Sequence, residues 1–345
     1  MKRYFSSVLT GGGIYCPFNS LDFFPENAKI FYVFGEDTER AVFFEELSKR
    51  LRGFSLTLFN PFYDEGCDGI YISGLNIYII GTDLFCRPTP AFAGKYEKYL
   101  FLNPENAPSA EEIRVKREKM QREKQLYRLA GDALKKACVV KSRLYEELFP
   151  FLDEGKMINF LRRFTARKIK PCTDSGTEHI RLLCSPTPLG IYTHWDTVFD
   201  LCSETVSIND NTGLAGTVIC SAVRDYAKSE GIPVISSPSY FSPYLPCFLI
   251  FPVSGLGIVL STENHPLPYT PNEQINSARF LKPDLPIKKA EALLGAENSF
   301  LDKCVQFILR GRQESFSDRS SLAADTDSAK AAADNLAERI IKNLH

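Results

Sequence analysis

Two segments of the chain carry residue types suited to holding a phosphate. A phosphate loop joins a strand to a helix and uses small residues, so that successive backbone N–H groups converge on oxygens. It adds a Lys for the terminal phosphates and a Ser or Thr hydroxyl for Mg²⁺. Gly35-Glu36-Asp37-Thr38-Glu39-Arg40-Ala41 stands in such a place, with Gly35, Thr38 and Arg40 as the candidate binding residues. Arg40 replaces the Lys charge, but Ala41 offers no hydroxyl, and Glu36, Asp37 and Glu39 set carboxylates where an anion would sit. Two like charges at ~4 Å repel by about 1 kcal/mol in water and about 4 kcal/mol at an effective dielectric of ~20. These acids therefore oppose a triphosphate unless they turn away or hold Mg²⁺.

The second segment, Asp210-Asn211-Thr212-Gly213-Leu214-Ala215-Gly216-Thr217, keeps the length of a phosphate loop. Its candidate residues are Asn211, Gly213, Ala215, Gly216 and Thr217. Thr217 stands at the hydroxyl position and Gly216 where the Lys belongs, so the cation is missing. Backbone N–H groups from Gly213 to Thr217 can still form an anion nest at a helix N-terminus. A strand-end acid usually helps to hold the metal. Gly81 and Ser261 occupy those ends, with Asp83 and Glu263 two residues further on. No catalytic residue and no metal-ligand set is assigned. His194-Trp195-Asp196 and Ser207 lack a G-x-S-x-G elbow, and an adjacent His and Asp do not make a triad. Gly11-Gly12-Gly13 reads as a turn, His265 as a loop residue, and Trp195, at the position of Phe18 in the first half, as core.

The elements that position these loops come from short apolar runs. Lys29 to Phe34 is too brief for a helix and rich in β-formers, and Ala41 to Leu51 resumes at helical spacing. Strands are expected at Ser55 to Phe59, Gly69 to Ile72 and Ile77 to Ile80. The second half offers strands at Thr205 to Ile208, Pro233 to Ser236, Phe248 to Val253 and Ile258 to Leu260, with a helix from Thr217 to Lys228. Nearly continuous apolar strands imply a parallel sheet covered on both faces. Ser109 to Glu112 is a capping box that opens a charged helix running to about Glu147. Its counterparts are Lys288 to Phe316 and Asp325 to Leu344.

The halves echo each other. Gly13-Ile14-Tyr15 returns as Gly190-Ile191-Tyr192, Ile72-Ser73-Gly74-Leu75-Asn76-Ile77 as Val253-Ser254-Gly255-Leu256-Gly257-Ile258, and Thr89-Pro90 as Thr270-Pro271. This order implies a duplicated domain. The expected division is 1–172, with a helical insertion at about 109–170, and 173–345, with terminal helices at about 288–344. The basic stretch Arg163 to Lys170 and the segment Pro171 to Gly176 mark the boundary.

Gly11 to Tyr15, Ile30 to Phe34 leading into Gly35, and Asp68 to Ile77 together resemble bacterial tandem P-loop ATPase-like proteins of spore-forming Firmicutes. The resemblance covers most of the chain. It implies an α/β fold of two duplicated P-loop NTPase-like domains with mainly parallel sheets, each followed by a helical appendage. It also implies ATP or GTP with Mg²⁺ as the ligand. The departures in both loops and both strand ends point to a degenerate member: a pseudo-ATPase with a scaffold or regulatory role, an unidentified protein partner and residual weak nucleotide binding. The alternative is an active ATP- or GTP-dependent phosphohydrolase or kinase with an atypical phosphate loop. It would use Arg40, or a Lys from a helical appendage, as the cation.

Composition sets the outer limits. Of 345 residues, 44% are hydrophobic and 24% charged, which excludes a wholly disordered chain. Forty-one Lys and Arg against 42 Asp and Glu give a net charge of −1, so overall charge does not favour nucleic acid as a partner. The apolar runs are too short for a membrane span, and MKRYFSSVLTGGG lacks the apolar core of a secretory signal. Ten scattered cysteines read as reduced core residues. A cytoplasmic protein is expected.

Overall fold

The run Lys29 to Phe34 is a strand in the computed structural model of the chain, which describes residues 1–20, 23–82, 97–102, 109–170, 176–263, 265–316 and 326–342. The first-half elements are β1 (Lys2–Phe5), β2 (Val8–Thr10), β3 (Gly13–Tyr15), β4 (Lys29–Phe34), α1 (Asp37–Arg50), β5 (Leu56–Asn60), β6 (Gly69–Ile72), β7 (Ile77–Gly81) and β8 (Glu97–Phe101). Two helices follow, α2 (Ala110–Leu148) and α3 (Glu154–Lys168). The second half gives β9 (Glu178–Ile180), β10 (Cys184–Thr187), β11 (Gly190–Thr193), α4 (Trp195–Leu201), β12 (Glu204–Asn209), α5 (Leu214–Ser229), β13 (Val234–Ser239), β14 (Ser242–Phe251), β15 (Leu256–Ser261) and β16 (Glu273–Asn276). The chain continues through α6 (Ile287–Phe316) and α7 (Thr326–Lys342).

The strands form two six-stranded sheets, ordered β8-β4-β7-β6-β5-β1 and β16-β12-β15-β14-β13-β9. Strand for strand the orders are the same, and so are the directions. Both sheets are mixed, with parallel pairing except for the antiparallel β5-β6-β7 and β13-β14-β15 meanders. The sheets are thus mainly parallel, as expected, with one antiparallel meander in each. The physical reason is loop length: the connection through Ser73 to Asn76 closes a hairpin, whereas a parallel crossover needs roughly a dozen residues.

Local details repeat too. The Thr10 hydroxyl donates to the Gly13 carbonyl at 2.7 Å, and Thr187 donates to Gly190 at 2.9 Å. Gly13 and Gly190 have φ of +114° and +108°, values that L side chains rarely adopt. Ile72 pairs with Ile77, and Phe251 with Leu256, across turns whose last residues, Asn76 and Gly255, are both left-handed. Ile72 therefore corresponds to Phe251, two residues from the Val253 suggested by the motif match. A shift of two keeps every side chain on its face, which is why the sequence match survives it.

The described residues fall into two compact units, Met1–Val8 with Ile14–Leu129 and Phe307–His345, and Leu9–Gly13 with Ala130–Gln306. These differ from a cut at residue 172, because apolar faces rather than chain order decide which helix covers which sheet. In the first unit α1 buries Phe43, Phe44 and Leu47 against Val33, Ile70 and Ile79. Ala329, Ala333, Leu336 and Ile340 of α7 complete this core. In the second, α5 buries Ala215, Ile219, Val223 and Ala227, one face at helical spacing, against Val206, Ile208 and Ile258. Met157 and Phe164 of α3 close that core, and each such side chain contributes about 1.5–3 kcal/mol. Asp83, Thr89-Pro90 and Pro171 to Ser175 lie outside the described residues. No helix among the described residues is long and apolar enough to cross a membrane.

Candidate functional site

In the first unit, β4 leads through Gly35 into α1, the strand–loop–helix order expected. Glu36 is the N-cap, and its backbone N–H donates to the Glu39 carboxylate at 2.8 Å in a capping box. A helix start that would otherwise offer free N–H groups to an anion is thus served by its own acids. Gly35 leaves no room for growth, since a Cβ there would lie 2.9 Å from Leu102 Cδ1.

Arg40 is buried and turned inward. Its guanidinium donates to the Gly35 carbonyl at 2.9 Å, to Asp37 at 2.9 Å and to Asp68 at 3.1 Å. Asp68 sits where β6 begins, next to the end of β7, and a Cβ on Gly81 would fall 2.0 Å from its Oδ1. Gly81 is therefore the space that Asp68 fills. The cation proposed for phosphate is held by two carboxylates and the loop's own carbonyl. Thr38 is half-buried one turn away.

In the second unit, β12 runs into Asp210 and α5 begins at Leu214 after Gly213, whose φ is +76°. Asp210 is buried. One carboxylate oxygen accepts the Thr212 N–H at 3.1 Å and its hydroxyl at 2.7 Å, and the other accepts the Gly216 N–H at 2.8 Å. The turn read from the sequence as a phosphate loop wraps this carboxylate. A Cβ on Gly216 would meet Leu260 Cδ1 at 2.2 Å, so glycine here serves close packing of α5 on β15. Ala215 is core. Asn211 is tied to Glu263, donating its amide to the Glu263 carboxylate and accepting the Glu263 N–H at 3.2 Å.

The outer side of Gly213 is covered by α2. A Cβ on Gly213 would lie 3.0 Å from the Tyr145 hydroxyl and 3.4 Å from Lys141 Nζ. Tyr145 and Thr217 share a hydrogen bond at 3.2 Å. Lys141 donates to Glu297 at 3.0 Å, with side chains 8% and 4% exposed, and its ammonium lies 5.1 Å from the Phe241 ring centroid. Burial, opposed by the Lys141 charge, pushes the Glu297 carboxyl up, and burial also raises the Tyr145 phenol.

Gly213, Gly216, Thr217 and Asn211 thus come together around one helix start, and Gly35, Thr38 and Arg40 around another. Sequence reasoning missed Asp68, Lys141, Tyr145 and Glu297. Asp68 carried a weak signal, an acid opening an apolar strand; the other three come from long helices whose reach the sequence does not reveal. His265 and Trp195 form a third cluster, in which the rings stack at 5.6 Å and His265 Nε2 lies 2.7 Å from the Thr193 hydroxyl. Burial holds this imidazole down at about 4. Among the described residues no group of three or more His, Cys, Asp or Glu is placed to hold a metal ion.

No protein-family model matches the chain, and no curated protein and no solved structure is significantly similar to it.

Proposed function

We propose that the protein is a non-catalytic member of the P-loop NTPase-like class, a pseudo-ATPase built from two duplicated domains, with a scaffold or regulatory role. The observation that carries this reading is the Asp210 carboxylate accepting the Gly216 and Thr212 amides, in the place where a phosphate would accept them. The first unit supports it independently, since Glu39 caps the loop and Arg40 is spent on Asp37 and Asp68. A triphosphate entering either loop would have to displace a carboxylate and then tolerate its charge.

Titration of the full chain with ATP and with GTP, each with and without Mg²⁺, tests the reading by calorimetry and phosphate release. Weak or absent binding without phosphate release is expected. Micromolar binding with phosphate release would overturn it. Lys141 favours a second reading, an atypical phosphohydrolase or kinase whose cation comes from a helical appendage, because its ammonium stands beside Gly213. On that reading Lys141→Ala abolishes turnover, whereas the first reading expects no turnover to abolish.

A further inference from the structure

The charges where a helix end meets the strand starts differ between the units: acids open β12 and β16 in the second, and lysines stand at the start of β4 and in β8 in the first. In the second unit α3 lies along α5, and its last turn meets the first residues of β12 and β16. Arg167 and Lys168 pair with Glu273, and Lys168 also with Glu204, so helix and strands are drawn together. In the first unit α7 packs on α1, and its last turn shares a groove with Phe31 of β4 and with Lys98 and Leu100 of β8.

Strand register identifies the equivalent residues. Val206 pairs with Glu273 as Phe31 pairs with Lys98, and Glu204 opens β12 as Lys29 opens β4. Lysines stand at both acid positions, and the last turn of α7 carries Arg339 and Lys342. With bases on both sides the groove stays open, at about 880 Å³, lined by Phe31, Lys98, Leu100, Leu336, Arg339 and Lys342. Of the acids lining it, Glu97 is buried and Glu338 pairs with Lys342. β8 is the edge of its sheet among the described residues and pairs with β4 alone. Its other face exposes Phe101 by 58%, stacked on Phe34 at 5.1 Å.

We infer that this groove is a docking site for an acidic, extended segment of a partner protein, which adds as a strand to β8 and places its carboxylates on Lys98, Arg339 and Lys342. The edge of β8, unpaired among the described residues, supplies backbone donors and acceptors, Phe31 and Leu100 supply apolar contact, and the basic rim selects the charge. The groove's lining includes none of Gly35, Thr38 and Arg40, so the proposal does not depend on whether a nucleotide binds.

Fluorescence anisotropy of the full chain with a labelled decapeptide alternating Glu and Val tests it, beside the same peptide with Lys for Glu and a short single-stranded DNA. Micromolar binding of the Glu peptide alone is expected. Lys98→Gln with Arg339→Gln should weaken it by about tenfold or more. The double variant Lys29→Glu, Lys98→Glu recreates the closed arrangement of the second unit. It should abolish binding while raising Tm by about 1–4 °C. Equal binding of the Lys peptide, or no effect of the Gln variants, overturns the proposal. Tighter binding of the DNA makes the groove a general polyanion surface and also overturns it. A concentration-dependent dimer that the Glu variant abolishes assigns the groove to a second copy of the chain, with the same consequence.

Discussion

Asp210 Oδ2 accepts the Gly216 N–H at 2.8 Å, across the first turn of α5. The bond makes the carboxylate part of the helix cap, so the acid stabilises the same amides that the proposed pseudo-ATPase reading has it withhold from a phosphate. Removing it should cost about 1–3 kcal/mol, since buried N–H groups lose their partner. It should also open the nest. Asp210→Ala is expected to lower Tm and to recover part of the loss in millimolar pyrophosphate, whereas the unaltered chain shows no such recovery in a thermal-shift assay.

Lys141 and Glu297 form a pair more than nine-tenths buried. Breaking such a pair leaves one uncompensated buried charge and costs about 3–5 kcal/mol, while replacing both members with apolar residues is near neutral. Lys141→Met and Glu297→Leu should each be strongly destabilising alone. Combined, they should return to within about 1 kcal/mol of the parent in urea unfolding. A sum of the two single losses in the double variant would show the pair to be uncoupled.

Gly81 reserves the volume that Asp68 occupies. Gly81→Ala should push the carboxylate off Arg40 and destabilise the chain by an amount close to that of Asp68→Ala, about 3–5 kcal/mol for a broken buried pair. The Gly81→Ala, Asp68→Ala double variant should then be no worse than the worse single variant. Chemical denaturation of the four proteins gives the comparison.

His265 sets an acid limit on stability. Its imidazole titrates near 4 in the folded chain against 6.5 when unfolded, because burial disfavours the charged ring. As pH falls below 6.5 the unfolded chain takes up the proton first, so acid favours unfolding. The contribution is complete above pH 6.5 and drains away down to about 4. Between pH 7 and pH 5 the loss is about 2 kcal/mol. His265→Gln should flatten that slope, which unfolding free energies at several pH values would reveal.

Much of this architecture was legible before any coordinates, and the rest was not for definite reasons. Lys29 to Phe34 matches β4 because five consecutive apolar β-formers after Lys29 have few alternatives. β1, β8, β9 and β16 escaped notice because edge strands are short and mix exposed charges with apolar residues, as Glu97 to Phe101 does. α3 falls inside the helical insertion expected at about 109–170, but its own bounds were hidden by its bases, although Asp153 accepts the Lys156 N–H as an N-cap and Met157, Phe160, Leu161 and Phe164 lie on one face. The loop positions were found from strand–loop–helix order. Their occupants were not, because Arg40 meets Asp68 and Tyr145 meets Thr217 only through tertiary contact.

The assignment of α7 to the first sheet has a consequence for biosynthesis. A ribosome delivers β4, α1, β6 and β7 long before Ala333 and Leu336 exist to complete their core, while the second unit has all its residues once Gln306 has emerged. The portion translated first is therefore the portion that matures last. During elongation its core lacks the apolar side that Ala329, Ala333, Leu336 and Ile340 supply.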